Sequence, residues 1–421
     1  MTTTERNASA VETNVFIARQ PIFTKSLRVH GYELLFRDSE ENVFPNIDGT
    51  VATADLVGNA IGGVGLETLT GGKLAFVNFT RKLLVEDYFT ILPSDGVVIE
   101  LLEDIEADDE VLAACNRLKS EGYTLALDDI VSYDERLERL LEYADIVKVD
   151  YLHATPQARD QLVQRIGNRV RMLAEKVETN EQQEEAVALG YTFFQGNFLS
   201  EASIVTGRSV APFKPHLIEL LSAASKPDFD FTEIEDIIKR DISLSYRMLR
   251  FANSAASGLR QRVTSLGHAL VILGQKEVVR AASLLAMADM GEDKPEELAI
   301  SSLARASFME ALAQTTRMEV RPVEVFLTGL CSRLDAMLGL PMREVIERLP
   351  LTEEVSAALM GEPGELQDML SLATAYEQAD WERATSLAEN LDIPDWEISG
   401  RYVKAIAYAD RVFGALGAEE D

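Results

Sequence analysis

The sequence predicts an α/β protein: a TIM-like (β/α)8 barrel with one antiparallel strand, followed by an all-α domain. Three observations carry this. Between Val15 and about Phe198, short β-rich runs alternate with longer amphipathic stretches. The runs are nearly continuous in apolar residues, as in a parallel sheet buried on both faces. Beyond His216 the period becomes helical and stays so to Phe413.

In chain order, strands are predicted at 15–23, 31–36, 73–79, 97–103, 124–130, 146–152, 170–178 and 191–198, and eight such units close a barrel. Only a short turn around Thr24 to Arg28 separates the first two, which makes that pair antiparallel. Helices are predicted from Asp108 to Ser120, ahead of Gly122, from Tyr133 to Tyr143, from Thr155 to Ile166, and from Asn180 to Leu189, ahead of Gly190. The glycine-rich stretch 58–74 fails as a phosphate loop: Glu67 stands where a Walker loop needs its first glycine, and Leu74 replaces Ser or Thr. Its glycines mark helix ends and turns.

Residues 1–14 and the acidic tail 414–421 read as disordered ends, 15–203 as the barrel, 204–215 as a linker and 216–413 as the helical domain. Within the last, Ile234, Ile237 and Ile238, then Leu244, Met248, Leu249 and Ala252, keep helical spacing.

The chain has 421 residues, with 40 basic against 70 acidic side chains and a net charge of −30. That balance argues against nucleic-acid polymers, whose backbones are bound through clustered Lys and Arg. No apolar run approaches ~18 residues and no secretory start is present, which predicts a cytoplasmic protein without membrane partners. Cys115 and Cys331 each sit in an apolar helical pattern and read as buried, reduced thiols.

The predicted strands share one feature: polar residues at or near their C-terminal ends, the active face of this fold. These are Glu33 and Arg37, Asn78, Glu100 and Glu103, Asp128 and Asp129, Lys148 and Asp150, Glu175 and Glu178, and Gln195. Charges pressed into apolar strands need a chemical reason. Glu33, Asn78, Glu100, Asp128, Asp129 and Glu178 are hard oxygen donors suited to Mg²⁺ or Mn²⁺ rather than zinc. Such a set can hold two ions ~3.5 to 4 Å apart, the arrangement that activates water against a phosphodiester.

These residues resemble the motifs of the EAL domain, the cyclic di-GMP phosphodiesterase fold. Glu33-Leu34-Leu35-Phe36-Arg37 resembles E-A-L-x-R, Val77-Asn78 the Val-Asn motif, Glu100-Leu101-Leu102-Glu103 E-x-T-E, and Asp128-Asp129 the double Asp. Lys148-Val149-Asp150 resembles K-I-D, Ala174 to Thr179 resembles A-E-G-V-E-T, and Gln195-Gly196 the closing Q-G. The resemblance implies metal ligation by Glu33, Asn78, Glu100, Asp128 and Asp129, supported by Asp150 and Glu178. It implies Lys148 and Glu175 as catalytic residues at the attacking water, Glu175 being the base. Arg37 would contact a ligand phosphate and Gln195 a guanine edge.

The sequence also departs from the family. Ile130-Val131-Ser132-Tyr133 replaces the F-G-x-G turn, Lys176 replaces Gly, Leu102 replaces Thr, and Ala202 stands about where Pro is usual. The ligands survive while the aligning loop is altered, so binding is better supported than turnover.

The helical half resembles the HDOD domain through Ile237 to Arg250, Phe251 to Ala256 and Val263 to Gly274. None of the four histidines, His30, His153, His216 and His268, is followed by Asp, so this half lacks the doublet that active HD sites use. It is read as non-catalytic, engaging an unidentified protein partner. The leading expectation is therefore a bacterial cyclic di-GMP signalling protein that binds the dinucleotide with Mg²⁺ or Mn²⁺ and couples occupancy to the helical domain. The alternatives are an active phosphodiesterase producing the linear pGpG, and a ligand-free scaffold. A homodimer is implied by family resemblance alone.

Overall fold

The structure is a computed structural model and describes residues 16–37, 65–199, 219–220, 223, 230–253, 263–290, 295–349 and 351–417. The predicted tail 1–14, the linker 204–215 and Ala202 lie outside the described residues.

Eight strands form one closed barrel in sequence order: β1 Phe16–Thr24, β2 Val29–Arg37, β3 Leu74–Phe79, β4 Val97–Leu101, β5 Thr124–Ile130, β6 Ile146–Asp150, β7 Arg171–Glu175 and β8 Phe193–Phe194. β1 runs antiparallel to both neighbours, β2 and β8, and all other pairings are parallel. The turn predicted around Thr24 to Arg28 is closed by bonds from the Leu27 and Thr24 amides to the Thr24 and Arg28 carbonyls. All eight predicted strands are present.

Helices α1 Leu66–Thr70, α2 Arg81–Val85, α3 Asp109–Ser120, α4 Glu135–Leu140, α5 Pro156–Ile166 and α6 Asn180–Leu189 surround the barrel. Their starts follow from capping chemistry. Asp108, Asp134, Thr155 and Thr179 each accept a first-turn amide, and Thr179 with Gln182 completes a capping box. Gly71 and Gly190 end α1 and α6 in the left-handed conformation.

Side chains inside the barrel stack in layers, because strand residues two apart share a face. Ile22, Phe76, Val98, Ala126, Ile146, Leu173 and Phe193 form an apolar plug. Gly31 is required beside it, since a Cβ there would lie 2.8 Å from the Phe76 ring. Two residues further along β3 to β7, and just past β8, this layer is followed by Asn78, Glu100, Asp128, Lys148, Glu175 and Gln195. The plug closes the barrel below and leaves the next layer open above.

The helical part comprises α7 Phe231–Lys239, α8 Ile242–Asn253, α9 Leu266–Met290, α10 Glu296–Ala313, α11 Pro322–Cys331, α12 Leu334–Leu338, α13 Met342–Ile346, α14 Glu353–Leu359, α15 Glu365–Glu377, α16 Trp381–Asn390 and α17 Asp395–Gly417. α9 is broken at Gly274, whose φ is +71°. α10 is central: Gly329 of α11 lies against Ala306, where a Cβ would come within 2.6 Å of the Ala306 Cα. Cys115 and Cys331 are buried free thiols, and burial pushes both up to about 12. No described helix is long and apolar enough to cross a membrane.

The helical part packs on the active-face end of β1 and β2. Ala18 and Leu35 join an apolar cluster with Phe308, Leu312, Tyr376, Tyr402 and Ile406. Arg19 binds both Asp410 carboxylate oxygens at 2.8 and 3.0 Å, donates to the Leu69 carbonyl at 2.9 Å, and lies over the Tyr32 ring. The Tyr32 hydroxyl donates to Glu297 at 2.7 Å.

That buried junction gives a pH prediction. Burial raises the Glu297 carboxyl, Arg19 and the Tyr32 bond oppose, Asp410 adds, and the net is upward from 4.5. A carboxyl raised in the folded state contributes its stability fully below its ordinary value and loses it as pH rises through the folded value. Glu297→Gln keeps an acceptor for Tyr32 without the charge. Its urea midpoint should gain on the parent's as pH goes from about 5 to about 8; a constant difference would refute this.

Candidate functional site

At the open end of the barrel, the layer above the plug converges on the Lys148 ammonium, which is fully buried. It lies 2.8 Å from Glu100 Oε1, Asp128 Oδ1 and Glu175 Oε1, and 3.2 Å from Glu33 Oε2. Asn78 donates to Glu33 Oε1 at 3.0 Å, and Gln195 donates to Glu33 Oε2 at 2.7 Å and Gln20 Oε1 at 3.2 Å. Six strands, β2 to β7, and the end of β8 therefore deliver one polar core.

The electrostatics are unbalanced. One ammonium with three donors faces four carboxylates. Burial alone would favour the neutral Lys148 amine, but Asp128, Glu100, Glu175 and Glu33 outweigh it and hold the ammonium well above its ordinary value. Glu100 and Glu175 are pushed well above the usual carboxylate range by burial foremost and by neighbouring acids, and Asp128 is raised for the same reason. Glu33 is lowered: burial would raise it, but Lys148, Gln195 and Asn78 outweigh that.

Four oxygens in this layer, Asn78 Oδ1, Glu100 Oε2, Glu175 Oε2 and Gln195 Oε1, are buried without a hydrogen-bond partner. Orphaned buried acceptors are costly, and an excess of carboxylate over ammonium points to a further cation. Glu33, Glu100 and Asp128 bring carboxylate oxygens within 4.8 Å of one another, the one such grouping of potential ligands among the described residues. All the donors are hard oxygens, and the set could hold Mg²⁺ or Mn²⁺.

Asp129 and Asp150 stand beside this core and meet a second lysine. Lys176 Nζ lies 2.5 Å from Asp129 Oδ1 and 2.7 Å from Asp150 Oδ2. Asp150 also accepts from the Leu152 and His153 amides and from the His153 ring. Burial would raise its carboxyl, but Lys176 and His153 hold it at about 2. Asp129 and Lys176 both have left-handed backbones, φ +51° and +53°, which cost an L-residue about 1–2 kcal/mol each. In the 130–133 loop no φ is positive, so the turn needs no glycine there; the unusual backbone falls on Asp129, next to an irregularity in the β5–β6 register.

Glu178 is exposed on the wall of the same cavity. Arg37 ends β2, and its side chain lies outside the described residues. The cavity, about 860 Å³, is walled below by Glu33, Asn78, Asp128, Glu175 and Gln195 and above by Glu297, Ser301, Arg333, Glu377 and Tyr402 of the helical part. Arg333 reaches Glu377 at 3.3 Å, a carboxylate that Arg305 already holds at 2.5 Å. Sequence reasoning missed these upper residues, since no local pattern reports a contact between residues hundreds apart.

A closed barrel with a buried acidic centre, capped by a helical domain, defines the class of protein. The chain matches the EAL domain family over residues 73–202 and the HDOD domain family over 211–342. It is 39% identical over 386 residues to the uncharacterized protein YuxH of Bacillus subtilis, covering 90% of this chain and 94% of that one. It is 36% identical over 373 residues to the cyclic di-GMP phosphodiesterase CdgJ of Vibrio cholerae, covering 87% and 86%. The chain belongs to the family of bacterial EAL–HDOD signalling proteins. Among solved structures it aligns with the EAL-domain protein YkuI of Bacillus subtilis at 19% identity and TM-score 0.35, over 66% of this chain and 72% of that one. It aligns with BlrP1 of Klebsiella pneumoniae at 23% and 0.34, over 44% and 55%.

Lys148→Met removes the one cation inside four buried carboxylates. In chelator it should lower stability by about 3–5 kcal/mol, the cost of stripping a buried ion pair of one partner. Added Mn²⁺ should restore part of that loss, measured by urea midpoints in the two buffers. Equal losses in both would deny the cluster a cation.

Proposed function

We propose that the barrel binds cyclic di-GMP together with Mg²⁺ or Mn²⁺ in the cavity beneath the helical domain, and that the helical domain reads its occupancy. The observation that carries this is the set of buried oxygens at Asn78, Glu100 and Glu175 left without partners around a single ammonium. Glu33, Asn78, Glu100, Asp128 and Asp129 would hold the cation, with Asp150 and Glu178 in support. A bound divalent ion supplies neutralisation of a phosphodiester and acidifies water. Arg37 would meet a phosphate of the dinucleotide and Gln195 a guanine edge. Coupling is supported by the shared cavity: a ligand resting on Glu33 also meets the helices that carry Glu297, Arg333 and Tyr402. On this reading the barrel, 15–203, and the helical domain, 216–413, are joined by the linker 204–215, and a protein partner takes the signal from the helical side.

A second reading, hydrolysis to pGpG, is favoured by Lys148 and Glu175 and by the likeness to CdgJ. Burial foremost, and Asp128, raise Glu175 well above the usual carboxylate range, which makes its ionised form a stronger base. Glu175 would take a proton from water beside Lys148. The water oxygen adds to one phosphorus, the P–O3′ bond breaks, and the 3′-oxygen takes up a proton, giving one linear dinucleotide.

Purified protein incubated with cyclic di-GMP and Mn²⁺, followed by chromatography and by calorimetry, tests both. Binding should require the ion and weaken by more than about tenfold in Glu33→Ala. Linear product lost in that variant would establish hydrolysis. Unchanged affinity in Glu33→Ala would remove the assigned site.

A further inference from the structure

We infer that the Lys176 ammonium is a resident counter-ion that takes the place of a second divalent cation, making this a one-metal site. The inference rests on the reading that the carboxylates around Lys148 hold a cation. In the motif that Ala174 to Thr179 resembles, glycine stands where this chain has Lys176, so the side chain is an addition at the edge of an acidic site.

Three features of the structure carry it. The ammonium lies 2.5 Å from Asp129 and 2.7 Å from Asp150, so it occupies the space between two acids from different strands. A carboxylate offers about four acceptor positions. Asp150 has four contacts already, from the Leu152 amide, the His153 amide, the His153 ring and Lys176, and has none left to offer an ion. Finally, Asp129 and Lys176 both adopt backbone conformations that L-residues avoid, φ +51° and +53°. Strain of this kind persists where surrounding contacts over-determine it. The direct bond between the two side chains is such a contact.

The contrast with Lys148 is instructive. That ammonium faces four carboxylates and leaves partnerless oxygens around it, so an ion can still be accommodated there. Lys176 faces two, one of which is saturated. The two lysines therefore differ in what they leave over: the first leaves room for a cation and the second closes it.

Mn²⁺ itself is the probe. Equilibrium dialysis of the full chain should give one Mn²⁺ per chain, with an isolated-ion paramagnetic resonance spectrum. Lys176→Gly should give two, with the spectral broadening of a coupled pair, and Lys176→Arg, which keeps the charge, should stay at one. Two ions in the parent chain, or one in Lys176→Gly, would overturn the inference and leave the cation reading standing. No bound Mn²⁺ in any of the three would overturn the cation reading itself, and this inference with it. Circular dichroism and the urea midpoint of each variant establish that the counts come from folded protein.

Discussion

Everything at the mouth of this barrel depends on a single ammonium in the company of four carboxylates. Burying Lys148 with no partners would cost several kcal/mol, and burying any one of the carboxylates alone would cost as much. Together they tolerate the low-dielectric interior, and each fixes the position of the others. The strands are thereby held in a register that points Glu33, Glu100, Asp128 and Glu175 at one spot. The arrangement is overloaded with negative charge, which is a poor way to stabilise a core and a good way to prepare a cation site.

The layer beneath explains how the sequence achieves this. Strand geometry places residues two apart on the same face, so a strand that buries Val98 must turn Glu100 the same way, and likewise Ala126 with Asp128 and Ile146 with Lys148. The apolar plug sets the rotation of each strand, and the polar layer inherits it. Gly31 performs the same office by leaving a gap: it lets the Phe76 ring fill the space under Glu33. Substitutions in the plug would thus act on the chemistry above it without touching a ligand.

Much of this was legible in the sequence, because the relevant signals are local. Alternation of apolar runs with amphipathic stretches gave eight strands, and polar residues at strand ends gave the convergent site. Two things were not legible. Lys176 could be seen as a replacement for glycine, but not as the partner of Asp129 and Asp150, since that contact depends on where β5, β6 and β7 lie in space. The roof of the cavity was likewise hidden. Arg19 and Asp410, or Tyr32 and Glu297, carry no pattern that announces their pairing. The loop at 130–133 was read as a lost glycine turn; the structure relocates the left-handed backbone to Asp129, among the residue types that bear it most easily.

The roof gives the site its second property. A barrel mouth open to solvent would stand apart from the rest of the chain, whereas here β1 and β2 both wall the cavity and carry the docking surface for α15 and α17. Glu33 projects into the polar layer while its neighbours Tyr32 and Leu35 contact Glu297 and the apolar cluster of the helical domain. Glu33 and Leu35 lie two apart on the cavity face and Tyr32 on the opposite one, so β2 meets the helical part from both of its faces. The adjoining charges are finely poised: Arg333 shares with Arg305 a carboxylate, Glu377, that can satisfy only one of them fully. Arg333 thus lines the cavity at the very surface where the barrel and the helical part meet.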